Sequence, residues 1–507
     1  MSAARNPVGS SGPRRSSPRR SPAPGRRRTD ARDTAQGEAE AFATRLPAGF
    51  VLGVSTSAFQ VEGGSHDGGR TLSVWDDFSH QPGRIRGGAT ADVAADHFHR
   101  VSEDVALLAT LGAESYSFSF GWPRLQPGGA GSLNRDGIAF YDRLLDELLA
   151  AGISPMATLF HWDTPVELRG GWLNRDTANR FGDYAYEVGE QFGDRIDRWV
   201  TLHEPATVML NGYALGMHAP GGTALFDALP AGHHQLVGHG LAVQALRAAS
   251  VTGEVGIANA YSPVSPVTAS DDDVAFAALY DIVHNTMFGD AVLRGSYPPV
   301  PDEFQRLLRP LVEAPEGDLV IIRQPLDFYG IDYLAPTRIA SGAGGQVSPD
   351  GEASALTSLP FHVAPWPEFD RTGSGRPNAP EFLGVALTEL AARYGEALPP
   401  VFVTEGGVGL ADRVELDAET GAPRVRDGAR IDYLTSHVAA ALDAVAPGGP
   451  AAAVHLRGYY IRSLLDGFEW AAGYGERFGL VHVDFTTRDR TPKQSFEWVQ
   501  RVLEARS

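Results

Sequence analysis

Two glutamates stand where apolar, β-rich runs stop, about two hundred residues apart. Glu204 sits in Thr201-Leu202-His203-Glu204-Pro205, after the run Arg198-Trp199-Val200-Thr201-Leu202. Glu405 sits in Val403-Thr404-Glu405-Gly406-Gly407, after Pro400-Val401-Phe402-Val403-Thr404. A lone glutamate in a loop is ordinarily a solvated strand end. Short apolar runs of this kind, however, read as buried parallel strands, and a carboxylate at the C-terminal end of a barrel strand reads as catalytic. A pair of carboxylates suits the cleavage of a glycosidic bond. One protonates the leaving oxygen, while the other attacks the anomeric carbon or activates a water.

The elements that must position this pair alternate along the chain. Apolar runs predict strands at 50–54, 116–120, 156–160, 198–202, 255–258, 325–331, 400–404 and 459–462. Helical spacing follows each, at 96–111, 137–149, 178–192, 233–249, 273–293, 382–394, 431–445 and 495–503. The spacing in the first of these helices runs through Phe98, Val101, Val105, Leu108 and Leu111. Eight strand–helix units point to an α/β fold, a single (β/α)8 TIM barrel with enlarged βα loops. The Gly/Ser/Pro-rich passage from Ser341 to Asn378 is too long for a simple connection and is expected to be a surface or site-covering loop.

Composition narrows the function classes. The chain has 507 residues, 43% apolar and 21% charged, with a formal net charge of −19 and no cysteine. That charge argues against nucleic acid and against anionic membrane surfaces as partners. No run of about 18 apolar residues suggests a span. Without cysteine there is no disulfide, thiolate metal site or thiol nucleophile, which fits a reducing cytoplasm. Residues 1–45 are basic and rich in Pro, Ser and Arg, and are expected to be a disordered tail. The paired arginines lack the apolar stretch of an export signal. Residues 46–507 are expected to form the catalytic domain.

Further polar and aromatic residues gather at predicted strand ends. Gln60 follows the first strand, His161-Trp162-Asp163 the third, and Leu464-Leu465-Asp466-Gly467-Phe468-Glu469-Trp470 the eighth. A pyranose needs bidentate partners for adjacent hydroxyls, which Gln, His and Glu provide, and a flat apolar face, which Trp provides. Any one alone reads more readily as a satisfied core histidine or as barrel packing than as a sugar contact.

These motifs, with Trp122-Pro123-Arg124, Gly170-Gly171-Trp172-Leu173-Asn174, His218-Ala219-Pro220-Gly221, Pro325-Leu326-Asp327-Phe328 and Arg477-Phe478-Gly479-Leu480-Val481, resemble the β-glucosidase-type members of glycoside hydrolase family 1. The resemblance runs from about Phe50 to Leu503. It implies a retaining β-glycosidase acting by double displacement on a small-molecule or oligosaccharide glycoside. Glu204 is then the acid/base, Glu405 the nucleophile, and Gln60, His161, Glu469 and Trp470 bind the glycone. No cofactor and no metal is expected. Glu469 speaks against the phosphosugar branch of that family. Transfer to a small-molecule acceptor and catalytically silent sugar binding stay open as alternatives.

Five positions depart from the family's pattern. Ser117 stands for an Arg that orients the nucleophile, His203 for the Asn before the acid/base, and Gly406 for the Asn after the nucleophile. Arg462 stands for the Trp of the eighth strand. Leu334 stands for the Tyr facing the nucleophile, unless a one-residue shift makes Tyr333 its equivalent. His203 and Arg462 are thus candidate substrate-binding residues. Arg462 is expected to take over part of the work of the missing guanidinium by orienting Glu405 from the other side. The competing readings are an arginine that faces an acidic ligand and an outward-facing surface arginine.

Overall fold

The computed structural model describes residues 36–343 and 358–506. Eight parallel strands close into a barrel: β1 Val51–Ser55, β2 Ser115–Ser119, β3 Ser154–Phe160, β4 Arg198–His203, β5 Glu254–Ala260, β6 Phe328–Asp332, β7 Val401–Gly406 and β8 Leu456–Arg462. Each strand pairs with its neighbours in sequence, and β1 closes on β8 with Ser55 opposite Arg462. All eight expected strands and the helices after them are present. The fifth helical segment is divided, with a π-helical turn at Ile282–Thr286 between Asp271–Asp281 and Met287–Arg294.

Two apolar layers hold the barrel. Inside the lumen, Met156, Val200, Ala258, Phe328, Phe402 and Tyr460 form a closed cluster contributed by β3 to β8. Inward residues from successive strands fill a small barrel in this way, so the lumen is a packed core and no pore. Outside, a much larger buried cluster lies between the strands and the ring of helices. At the N-terminal end, Arg198 and Arg457 both lie over the Phe402 ring at 5.1 Å and pair with Glu254. That end is closed by charge neutralisation, which leaves the C-terminal end for chemistry.

The boundary expected at residue 45 moves. Residues 36–43 form a helix whose Ala39, Phe42 and Ala43 are buried, with the Phe42 and Trp498 rings 5.1 Å apart. These apolar residues dock on the C-terminal helix Gln494–Glu504, and burial there offsets the ordering cost that a polar tail could not meet. The rest of the expected tail, residues 1–35, lies outside the described residues. Part of the long passage after β6 is also outside them. Its described remainder contributes the strand Phe361–Val363, paired with Thr337–Ser341, and a hairpin around residues 371–377. Among the described residues, no helix is long and apolar enough to cross a membrane.

Candidate active site

The C-terminal strand ends carry the chemistry. Ser55, His203, Asp332 and Arg462 are the last residues of β1, β4, β6 and β8, and Glu405 is the penultimate residue of β7. Glu204 follows β4 directly in the left-handed region, at φ +47 and ψ +53. Its N–H donates to Ala258 O at 2.8 Å, tying the turn to β5. Trp162 and Trp470 are also held at positive φ, +76 and +53. Non-glycine residues in this region cost free energy and persist where the surroundings fix them. Here all three face the same mouth.

Glu405 is buried and braced on both oxygens. Arg462 Nη1 donates to Oε2 at 2.7 Å, and Ser55 Oγ approaches Oε1 at 3.5 Å. His203 Nε2 lies 3.6 Å from the same Oε1 and 3.1 Å from Asp332 Oδ2. These histidine contacts have ion-pair distances without hydrogen-bond alignment, leaving both His203 ring nitrogens and Asp332 Oδ2 without a hydrogen-bond partner. Burial pushes the Glu405 carboxyl up. Arg462 and His203 outweigh it and hold Glu405 below the ordinary glutamate value. A buried carboxylate kept ionised by a neighbouring cation is the state a nucleophile needs.

Arg462 also donates through Nη2 to Glu469 Oε2 at 2.5 Å and lies over the Phe478 ring at 4.9 Å. Burial opposes its charge, but Glu469 and Glu405 outweigh burial and the guanidinium stays protonated. Glu469 itself is held above the ordinary value, because burial exceeds the pull of Arg462. The expectation that Arg462 reaches Glu405 from β8 is met in geometry, and the surface-arginine reading is ruled out. Its two terminal nitrogens each meet a carboxylate, while its buried Nε has no hydrogen-bond partner among the described residues. Ser117, by contrast, makes no side-chain hydrogen bond among the described residues.

The other departures have local causes. A Cβ on Gly406 would lie 2.1 Å from the Tyr459 hydroxyl, so Tyr459 occupies the room an Asn side chain at 406 would need. Tyr333 is not the tyrosine facing the nucleophile: its hydroxyl donates to Ala379 O at 2.7 Å, on the helix side of β6. Leu334 lines the cleft instead. Asp332 was not singled out from the sequence, although an aspartate closing an apolar strand run was the available signal. Thr404 Oγ1 donates to its Oδ1 at 2.7 Å. Burial raises its carboxyl far above the aspartate range, with His203 pulling the other way and Glu204 and Glu405 adding to the rise. His203 is raised in turn, its own burial being outweighed by Asp332, Glu405 and Glu204.

The expected glycone residues converge on this group. His161 stacks on His203 with ring centres 3.8 Å apart and planes 16° apart. Burial, with His203 and Arg462 beside it, holds His161 well below its ordinary value and therefore neutral. Gln60 accepts from Ser57 Oγ at 2.6 Å and donates to Phe468 O at 3.0 Å, which fixes the amide next to the loop carrying Glu469. Trp470, partly exposed, packs among Phe59, Trp75, Trp162 and His161, with centroids 4.6 to 6.2 Å away. Asp466 anchors that loop from below, accepting from Lys493 Nζ and Arg477 Nη1 at 2.7 Å each.

His161, His203 and Glu405 could in principle gather round a cation, since their ligand atoms lie within 4.8 Å of one another. The stacked rings put their lone pairs in nearly parallel planes, however, and an imidazole binds a metal in its own plane. Arg462 already holds Glu405. The set is therefore built for carboxylate chemistry, and its residues do not fit an ion as they stand.

Above the site opens a cleft of about 490 Å³ with Glu204 and Asp332 on its floor. Glu204 thus faces the open cleft, while Glu405 is buried.

A model of the family described as glycosyl hydrolase family 1 matches residues 42–507. Beta-glucosidase A of Thermotoga maritima is 37% identical over 462 residues, covering 90% of this chain and 98% of that protein. Thermostable beta-glucosidase B of Thermobispora bispora is 40% identical over 463 residues, covering 90% of each. Among solved structures, a psychrophilic beta-glucosidase from Micrococcus antarcticus superposes with a TM-score of 0.83 at 39% identity, covering 92% of this chain and 99% of that one. A Thermotoga maritima family 1 glycoside hydrolase in complex with a cyclophellitol analogue transition state mimic superposes with a TM-score of 0.80 at 36% identity, covering 91% and 98%.

Proposed function

The chain belongs to glycosyl hydrolase family 1, and from that premise we propose that Glu405 and Glu204 carry the two steps of its retaining β-glycosidase reaction. Glu405 attacks the anomeric carbon while Glu204, in its acid form, protonates the departing oxygen and frees the aglycone. Water then enters on the same face. Glu204 takes its proton, the oxygen attacks the anomeric carbon, and the bond to Glu405 breaks. The sugar leaves with its original configuration, and both carboxyls return to their starting states. The relatives named as beta-glucosidases favour hydrolysis of a β-glucoside over transfer to an acceptor and over silent binding.

The observation that carries the assignment is the single bond from Arg462 Nη1 to Glu405 Oε2, beside which the buried carboxylate is held below its ordinary value. Around it, Gln60, His161 and Glu469 bind the glycone hydroxyls, Trp470 supplies the flat face, and His203 stands by the 2-hydroxyl. The glycone is neutral. A uronic acid would bring a third carboxylate to an Arg462 already shared by two. We place the enzyme in the cytoplasm, for which the absence of cysteine is the support. The test is proton NMR of the first product formed from an aryl β-glucoside. The β anomer appearing first supports double displacement, and the α anomer appearing first refutes it.

A further inference from the structure

The cleft above Glu204 has a wall that the glycosidase reaction alone does not explain. Arg371 and Arg376 both line it and are exposed. Among the described residues neither guanidinium has an ion-pair or hydrogen-bond partner. In a chain of net charge −19, where arginines such as Arg124, Arg430 and Arg490 are tied to carboxylates, two exposed guanidiniums that line one cavity without a partner among the described residues suit an anionic ligand.

Both sit on one short hairpin. Arg371 bridges Pro377, Thr372 N donates to Arg376 O at 2.8 Å, and Arg376 N donates to Thr372 Oγ1 at 3.2 Å. The hairpin is seated against the loop after β7. A Cβ at Gly373 would lie 2.3 Å from Gly409 O, so only glycine allows this approach. The strand carrying the nucleophile thus also fixes the hairpin. The field of Arg376 reaches Tyr280 on another wall and His218 across the mouth.

The remaining walls suit a flat aglycone. Trp366, Tyr261, Tyr280 and Leu334 border the cavity, whose volume of about 490 Å³ accommodates a substituted aromatic ring. Among the described residues, the carboxyl groups that line the cleft are those of Glu204 and Asp332. An anion seated among the arginines near the rim leaves the glycosidic oxygen free to reach Glu204.

We infer that this cleft selects an anionic aglycone, an aromatic or similarly flat leaving group bearing a carboxylate, recognised by Arg371 and Arg376. The inference rests on the aglycone side of the reaction proposed above. Arginine matches a carboxylate with its planar fork, and a pair at the mouth of a cavity also steers anions inward.

The test compares two aryl β-glucosides that differ only in a meta carboxylate or carboxamide, with the wild type and with an Arg371→Ala/Arg376→Ala double variant. The carboxylate is expected to have kcat/KM about 3- to 20-fold higher, through KM, as two cleft arginines of modest individual strength allow. High salt and the double variant should each bring the ratio toward one. Equal kcat/KM for both substrates, or a preference that survives the double variant, overturns the inference. A second arm titrates the free aryl carboxylate and its carboxamide against intrinsic tryptophan fluorescence. Tighter carboxylate binding that the double variant loses supports the cleft assignment even if neither glycoside turns over, in which case the proposed reaction alone fails. Equal binding of the two overturns it.

Discussion

Replacing Arg462 by Ala tests how the nucleophile is held ionised. Arg462 supplies charge-assisted hydrogen bonds at 2.7 Å to Glu405 and 2.5 Å to Glu469 in a buried setting. A hydrogen bond to a charged group contributes about 1.5–3 kcal/mol. Loss of the Glu405 bond therefore lets that carboxyl rise. The direction follows from the causes: burial pushes Glu405 up, and Arg462 is the largest influence holding it down. Glu405 must be ionised to attack, so the acid limb of kcat/KM moves to higher pH. Lost orientation of Glu405 and its smaller ionised fraction together lower kcat roughly 10- to 100-fold near neutral pH. The assay is a kcat and kcat/KM pH profile with an activated aryl β-glucoside, with a thermal melt to verify folding. Arg462→Lys keeps the charge and one bond, and should recover part of the loss. An acid limb that does not move, or a loss confined to KM for acidic glycosides, would show that Arg462 does not hold Glu405 ionised.

Other outcomes follow from the same geometry. Glu204→Ala should slow glycosides with poor leaving groups far more than activated aryl glycosides; equal losses on both would remove Glu204 as the acid. His203→Asn takes a cation away from Glu405 Oε1, so its acid limb should rise, by less than in Arg462→Ala; a limb moving down contradicts the pairing. Asp163 is buried, its Oδ2 accepts the Trp122 N–H at 3.1 Å, its Oδ1 has no hydrogen-bond partner among the described residues, and burial raises it from 3.8 to about 8. Its folded-state value exceeds the unfolded one, so its contribution to stability is lost as pH rises from about 4 through about 8. Asp163→Asn should therefore raise Tm at pH 8 relative to pH 5 by about 2–4 °C, measured by calorimetry. The same shift at both pH values would contradict a protonation effect.

Much of the architecture was legible in the sequence because buried parallel strands are short apolar runs and each is followed by helical spacing. That alternation located Glu204 and Glu405 at strand ends, and the aromatic and amide residues beside them. Arg462 was legible as a candidate because its place at the end of β8 put it at the same mouth as β7. Its second bond, to Glu469 seven residues on, depends on how the loop folds back and has no local signature. Asp332 was overlooked because one acidic residue closing a strand is ordinary until His203 is seen 3.1 Å away. The room for Gly406 is set by Tyr459 on the neighbouring strand, a contact between residues more than fifty apart. The helix at 36–43 was read as tail because its few apolar residues gain meaning only against Trp498. The cleft hairpin lay inside a passage whose Gly/Ser/Pro content signals only a loop.

Double displacement requires that Glu405 form a covalent bond to the sugar. An activated 2-deoxy-2-fluoro-β-glucoside slows the release step more than attack, so the glycosyl-enzyme accumulates and can be digested and sequenced by mass spectrometry. The account predicts one added glycosyl group per chain, on the peptide containing Val403-Thr404-Glu405-Gly406, with inactivation to match, and no label in Glu405→Ala. A label on Glu204, or on any residue other than Glu405, would contradict it.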